Sequence, residues 1–174
     1  LAELKERFEA CRLELHPTKT KIVYCKDGSR KGQYAQTEFD FLGYTFRRRL
    51  VRNRKRNISF VGFSPAVSKS AQKSMRAETR KWGLRNRTDL SLEDIAHMYN
   101  PVLRGWMGYY GRYYSSALEP VLGHFNETLI EWAMRKYKKL KNHKTMAALF
   151  MHKIVRRDPK LFVHWNKGMI RVLA

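Results

Sequence analysis

The stretch NPVLRGWMGYYGRYY, residues 100–114, limits the fold more than any other part of the chain. Placed on a helix that opens near Ser91, it lines up Ile95, Tyr99, Val102, Trp106, Tyr109, Tyr110 and Tyr113 along one side. A stripe of that width belongs to a helix facing a core. The opposite side carries Gly105, Gly108 and Gly111 with Arg104 and Arg112. An exposed glycine inside a helix costs about 1 kcal/mol relative to alanine, so three on one face need a reason. The reason is steric: a helix surface without side chains lets another backbone come close. Two visitors fit, a neighbouring helix or a sugar–phosphate backbone whose phosphates Arg104 and Arg112 would hold. Tyr114, at the edge of the stripe, is the tyrosine best placed to stack on a base. Pro101 should kink the helix or begin a new one.

Around this helix the pattern is helical throughout the C-terminal part. Ser64-Pro65 reads as an N-cap followed by proline at the first position, opening a helix that runs to about Trp82 and stops at Gly83. Ser91 with Asp94 resembles a capping box. A third helix runs from Glu119-Pro120 to about Leu140, with Leu122, Phe125, Leu129 and Trp132 facing the core. Its end, RKYKKLKNHK over 135–144, is strongly basic. A last helix spans roughly Thr145 to Arg157, before Pro159. The N-terminal part differs. Residues 1–14 form a helix with Leu1, Leu4, Phe8 and Cys11 on one face, broken by His16-Pro17. Residues 21–24, 39–46 and 58–63 have strand composition, and 26–37 reads as a polar loop. The class is therefore α+β: a small antiparallel hairpin unit, 1–63, followed by an α-helical bundle, 64–174.

Charge narrows the function. The chain has 36 Lys and Arg against 15 Asp and Glu, a formal net charge of +21. Self-repulsion on that scale is relieved by a polyanion, and a polyphosphate backbone is the usual one. Apolar residues make up 43 %, enough to fold rather than stay disordered. The densest run is RRRLVRNRKRN, residues 47–57, seven of whose eleven residues are basic. It reads as the tip of a hairpin between the strands at 39–46 and 58–63. Such a tip is either simply solvated or in contact with phosphates through Arg47, Arg48, Arg49, Arg52, Arg54, Lys55 and Arg56. Lys138 and Lys139 form a second basic point. Arg76, Arg80 and Lys81 read as a solvated face or as the wall of a nucleic-acid cleft.

Several classes drop out. No apolar run is long enough to span a membrane, and no basic amphipathic helix is free of core duties. Cys11 and Cys25 make no CxxC, and the six histidines are scattered, so no metal site is expected. Glu38 and Asp40 share a strand face and read as a solvated pair. His164-Trp165 reads as a packed anchor rather than a catalytic histidine. No catalytic residue is assigned. The absence of a signal peptide and of paired cysteines points to the reducing cytoplasm. The first residue is Leu rather than Met, which points to a fragment or a mis-called start.

The order of motifs is familiar. NPxxRGWxxYY, Asn100 to Tyr110, resembles the signature of group II intron maturases, in the thumb or maturase-specific domain of an intron-encoded reverse transcriptase. LxLHPTKTKIVYC, residues 13–25, is similar to the palm segment that follows the catalytic strand–turn–strand. FDFLGYTF, residues 39–46, resembles the primer-grip hairpin, and SPAVS, residues 64–68, the entry to the thumb. KYKKL…HKTMA and PKLFVHW, within 136–165, resemble the end of the bacterial proteins. The resemblance covers nearly the whole chain. It implies that Gly43 and Tyr44 approach the end of a primer strand. It implies group II intron RNA as the partner, DNA primer or target as a second nucleic acid, and a role in splicing and mobility in which the RNA does the chemistry.

The resemblance also marks a gap. Polymerases of this family carry a Tyr-Ala-Asp-Asp box whose aspartates help bind two metal ions. This sequence has no such box and no Cys-rich endonuclease segment. No polymerase activity is expected of this chain alone and no cofactor, Mg2+ belonging to the catalytic palm. Other readings stay open. One is a non-catalytic part of an RNA-directed DNA polymerase, completed by a separate chain with fingers and palm; exposed apolar residues over 21–25 and 39–46 would favour it. Another is a general nucleic-acid binder, and another a decayed remnant.

Overall fold

The computed structural model describes residues 2–53 and 56–170. The chain has the α+β architecture read from the sequence. Helix α1, Ala2–Ala10, precedes strands β1, Phe39–Phe41, β2, Tyr44–Asn53, and β3, Ile58–Val67. Helices α2, Lys69–Lys81, α3, Leu92–Tyr114, α4, Glu119–Lys136, and α5, Lys144–Arg157, follow, with short 3-10 turns between them. The strands pair in the order β1-β2-β3. By contacts the chain forms two compact units, Leu1–Phe39 with Arg47–Ser64, and Asp40–Phe46 with Pro65–Ala174.

The first unit has no fully buried residue among those described. Helix α1 buries none of its residues. Residues 21–24 are not a strand: the three-stranded ladder does not include them, and Tyr24 N–H donates instead to the Gln36 carbonyl at 2.9 Å. Without a neighbouring strand, β composition is not enough to make one. The local order comes from stacking of Tyr24 on Tyr34 (4.1 Å between ring centres), from Phe39 stacked on Phe63, and from Asp27. The Asp27 carboxylate accepts from Ser29 N–H, Ser29 Oγ and Arg30 N–H, and the Ser29 hydroxyl first among these holds its pKa below the usual carboxylate value.

FDFLGYTF is a hairpin in itself rather than one strand. Leu42 and Gly43 both have positive φ, 49° and 77°, as a two-residue turn of the I′ kind requires. Gly43 is needed twice over, because a Cβ there would lie 2.7 Å from the Tyr110 hydroxyl oxygen. Of the basic run 47–57, the part up to Asn53 is accordingly not a hairpin tip but the body of β2, and Arg54 and Lys55 lie outside the described residues. The helix expected at Ser64 begins later. Strand β3 runs through Pro65 to Val67, tolerated because β3 lies at the edge of the sheet where a missing N–H breaks no ladder. Ser68 is the true N-cap of α2, its Oγ accepting from Ala71 N–H at 3.1 Å.

The second unit holds the core. Helix α4 is buried at Val121, Leu122, Phe125, Asn126, Leu129, Ile130, Trp132 and Ala133, so it is apolar on most of its circumference and central to the bundle. Helix α3 begins at the Ser91–Asp94 capping box and passes through Pro101 without a break. Pro101 and His97, whose carbonyl loses its helical donor, are both exposed, so water can replace the lost bond. The core face of α3 is rotated from the aromatic stripe. Leu92, Ile95, Ala96, Leu103 and Met107 are buried, while Val102, Tyr109 and Tyr113 are exposed. Tyr99 and Trp106 are half-buried against Trp82, at 4.2 and 5.7 Å between ring centres. The third helix ends at Lys136, not Leu140, and a 3-10 turn over Lys138–Leu140 follows.

The C-terminal segment is locked by two asparagines. Asn100 donates to the Leu161 carbonyl at 2.9 Å and accepts from Val163 N–H at 3.1 Å. Asn126 Oδ1 accepts from Trp165 Nε1 at 3.0 Å and from His164 Nε2 at 2.8 Å, while its Nδ2 donates to the Met169 carbonyl. An oxygen cannot donate, so His164 carries its proton on Nε2 and leaves Nδ1 bare. Burial pushes the His164 pKa down to about 3. This histidine is the packed anchor expected from the sequence.

Two outcomes follow from this arrangement. Limiting trypsin should cut first within residues 2–64 and leave a resistant fragment beginning between Arg56 and Lys69; a full chain as resistant as that fragment would contradict the coreless first unit. His164 binds its proton less readily in the folded state than in the unfolded chain. Stability is therefore full above about pH 6.5 and falls with decreasing pH by up to about 1.4 kcal/mol per unit. The H164Q variant, which removes the titrating ring, should show a flatter melting-temperature profile between pH 6.5 and 4.5; parallel profiles would rule the mechanism out.

Candidate nucleic-acid interface

Strand β2 alternates its side chains, so its arginines divide between two faces. Arg47 lies 3.9 Å from Glu38, an exposed pair. Arg49 is half-buried and its Nε donates to the Ser64 carbonyl at 3.3 Å. Arg52 donates to Asn57 Oδ1 at 2.7 Å. Arg48 and Arg56 are exposed. Arg54 and Lys55 lie outside the described residues. The run is thus a row of guanidinium groups along a strand, several of them held by neighbours. Asp40 is engaged by the Thr45 hydroxyl and Glu38 by Arg47, so the two carboxylates do not act as a pair.

Helix α3 presents the second surface. Arg104, Gly108 and Arg112 follow at four-residue spacing, so they share a face, with the two arginines about 12 Å apart along the axis. A Cβ added at Gly105 or Gly108 would meet nothing within 4 Å, whereas one at Gly111 would touch Leu118 at 3.6 Å. Among the described residues, no helix occupies the space over Gly105 and Gly108. Arg104 and Arg112 are exposed, with no carboxylate partner among the described residues. Tyr114 is 36 % exposed where α3 gives way to a 3-10 turn.

Gly43 and Tyr44 are placed against the other side of the same helix. Tyr44 is 7 % exposed, and its hydroxyl donates to the Tyr109 carbonyl. Its ring touches those of Tyr109, Tyr110 and Tyr113, at 5.3, 5.5 and 5.7 Å between centres. Tyr109 in turn donates to the Leu42 carbonyl at 3.0 Å. Burial, then the neighbouring tyrosines, pushes the Tyr44 phenol up. A surface groove of about 490 Å³ passes Gly43, Ser74, Glu78, Trp106 and Tyr110.

A third surface was not legible as a site. The 3-10 turn Leu84–Asn86 packs on α4 and brings Arg85 beside Glu131, Arg135, Lys138 and Lys141 around a cleft of about 630 Å³. Lys138 was singled out from sequence; Arg85, Arg135 and Lys141 were not, although the last two lie in the basic run 135–144. Lys139 is exposed beside the cleft without lining it. An adjoining cleft of about 390 Å³ shares Arg85 and Glu131 and adds Arg80, Asn86 and His124. His124 lies 4.0 Å from Glu127, and burial, with help from Arg80, lowers its pKa. Of the basic residues at the start of the bundle, Arg80 thus reaches a cleft wall, while Lys81 pairs with Glu78 at 3.3 Å.

Among the described residues no three of His, Cys, Asp and Glu converge to hold a metal ion, and no helix is long and apolar enough to cross a membrane. Comparison with curated proteins and with solved structures gives no significant match. A family model does match: residues 72–150 fit the group II intron, maturase-specific domain. That range runs from the first turn of α2 into α5 and contains the glycine face, Asn100 and both basic clefts. Within the helical part, residues 72–150 therefore resemble a group II intron maturase-specific domain.

Proposed function

We propose that this chain binds folded group II intron RNA through its phosphate backbone, and so stabilises the intron's active fold during splicing and mobility. The observation that carries the reading is the bare face of α3 inside the matched range: two glycines with open space above them, flanked by Arg104 and Arg112. Retaining glycine at an exposed helical position forgoes stability, and close approach of another backbone is what recovers a use for it. Folded RNA offers such a backbone, since its deep major groove excludes side chains and leaves phosphates, 2′-hydroxyls and shape to be read. The arginines of β2 add further phosphate contacts. The RNA supplies the catalytic groups; the protein supplies charge and a rigid surface.

One observation favours a second reading, in which the chain completes a reverse transcriptase together with a separate polypeptide. Ile22, Phe41 and Leu42 are 70, 59 and 66 % exposed, and Leu50, Ile58 and Phe60 are exposed as well. Apolar side chains in that state are normally covered by a partner.

The G105A/G108A variant separates a functional glycine face from an accidental one. It should melt at a higher temperature, by up to about 1 kcal/mol per substitution, because alanine favours the helix. Its affinity for a folded group II intron RNA, followed by fluorescence anisotropy, should nevertheless fall roughly tenfold, near 1.4 kcal/mol. Higher stability with unchanged affinity would remove the glycine face from the interface.

A further inference from the structure

We infer that the cleft between the 3-10 turn Leu84–Asn86 and the end of α4 is a seat for an RNA phosphodiester backbone, separate from the glycine face. The inference rests on the RNA-binding reading and adds to it a second, independent contact region. Four cations, Arg85, Arg135, Lys138 and Lys141, line the cleft, and all four are exposed. Glu131 is the one carboxylate lining it, and it faces Arg85 at 3.9 Å with both side chains about half exposed. A pair of that kind is loose and worth little. Lys138 and Lys141 have no carboxylate partner among the described residues, so the cleft keeps an excess of positive charge.

The frame of the cleft is rigid, which matters because ordering four long side chains on a mobile frame would cost much of the gain. Trp132, fully buried in α4, donates through Nε1 to the Arg87 carbonyl at 3.0 Å. Lys136 donates to the Thr88 carbonyl at 3.1 Å. These two bonds fix the segment after the turn to α4. Arg135 is already oriented by its bond to Asn86 Oδ1.

The shape selects a polymer over a small phosphate compound. The cleft is open rather than enclosing, and it continues past the shared Arg85 and Glu131 into the second cleft, where Arg80 adds a cation and Glu127 a carboxylate. No Phe, Tyr or Trp ring lines either cleft, and the one imidazole, His124 in the second, is about three-quarters buried, so there is little platform on which a base could stack. A chain of phosphates can follow this path with its bases turned away, which gives affinity without sequence reading.

The test uses the full chain, a folded group II intron RNA and a plain RNA duplex of matched length, with anisotropy read across salt concentrations. Removing the opposing carboxylate in E131Q should tighten binding to the intron RNA severalfold, an effect that misfolding does not imitate. The double variant K138A/K141A should weaken it at least tenfold and reduce the salt slope by about two, roughly one per lost phosphate contact. If the wild type prefers the intron RNA while E131Q and K138A/K141A leave affinity and slope unchanged, the cleft is not a phosphate seat, although the proposed function stands. If both variants shift as expected but the wild type does not distinguish the two RNAs, the cleft stands and the intron-specific reading falls. A wild type that binds neither RNA overturns both.

Discussion

The burial of helix α4 is the constraint on which the rest of the bundle depends. Leu122, Phe125, Leu129, Ile130, Trp132 and Ala133 are all at or near zero exposure, and a helix apolar on that much of its surface must be wrapped. Helix α2, the 3-10 turns and α5 are the wrapping. The one polar residue of α4 fully buried among the described residues, Asn126, is bound on both ends of its amide, to Trp165 and His164 on one side and to Met169 on the other. A buried amide left unpaired would cost on the order of 1–3 kcal/mol, so the pairing fixes where the C-terminal segment must lie. Asn100 repeats the device from α3, clasping Leu161 and Val163. The asparagine of the NPxxRGW motif is therefore a structural clasp, and the exposed arginine and glycines that follow it are what the clasped helix presents.

Charge is distributed by the same logic. The acids that are engaged serve the backbone or a close neighbour. Asp94 closes the cap of α3, Asp89 is held by Arg87 through two nitrogens, and Asp27 organises its own turn. In each case hydrogen bonds hold the carboxyl below its usual pKa, so these groups stay ionised and occupied at neutral pH. With 15 acids against 36 Lys and Arg, most of the basic surface has no acid to neutralise it. Positive charge is thus left over on α3 and on the turns beside the end of α4, one of which is tied to that helix by hydrogen bonds. That is the arrangement that binds a polyanion with little loss of conformational freedom.

Punctuation was the legible part of the sequence. Gly83, with φ of 60°, ends α2, and the Ser91–Asp94 box opens α3. Local signals such as these act within one turn and survive any tertiary context. The face of α3 was harder to read. Its seven-residue stripe, five of them aromatic, looks like core, yet Leu103 and Met107 take buried positions and Tyr109 and Tyr113 do not. Large aromatics outweigh smaller residues in any reading by composition, whereas burial follows the path of the neighbouring helix. The strand past Pro65 was missed because whether a proline sits at a sheet edge is a fact of topology. Arg85 carried no signal at all. It joins Arg135, Lys138 and Lys141 only because the turn holding it packs on a helix some 50 residues further along the chain.

The central claim is that the region resembling a maturase-specific domain recognises intron RNA by phosphate contacts on a preformed surface. The most direct measurement is a salt titration of wild-type binding to a folded group II intron RNA beside a plain RNA duplex of equal length. With six or more phosphate contacts, affinity for both should fall roughly a thousandfold between about 50 and 200 mM salt. The account predicts that the intron RNA keeps a clear advantage at the higher salt, where shape rather than charge decides. Equal affinities at that point, or a shallow salt dependence throughout, would contradict it.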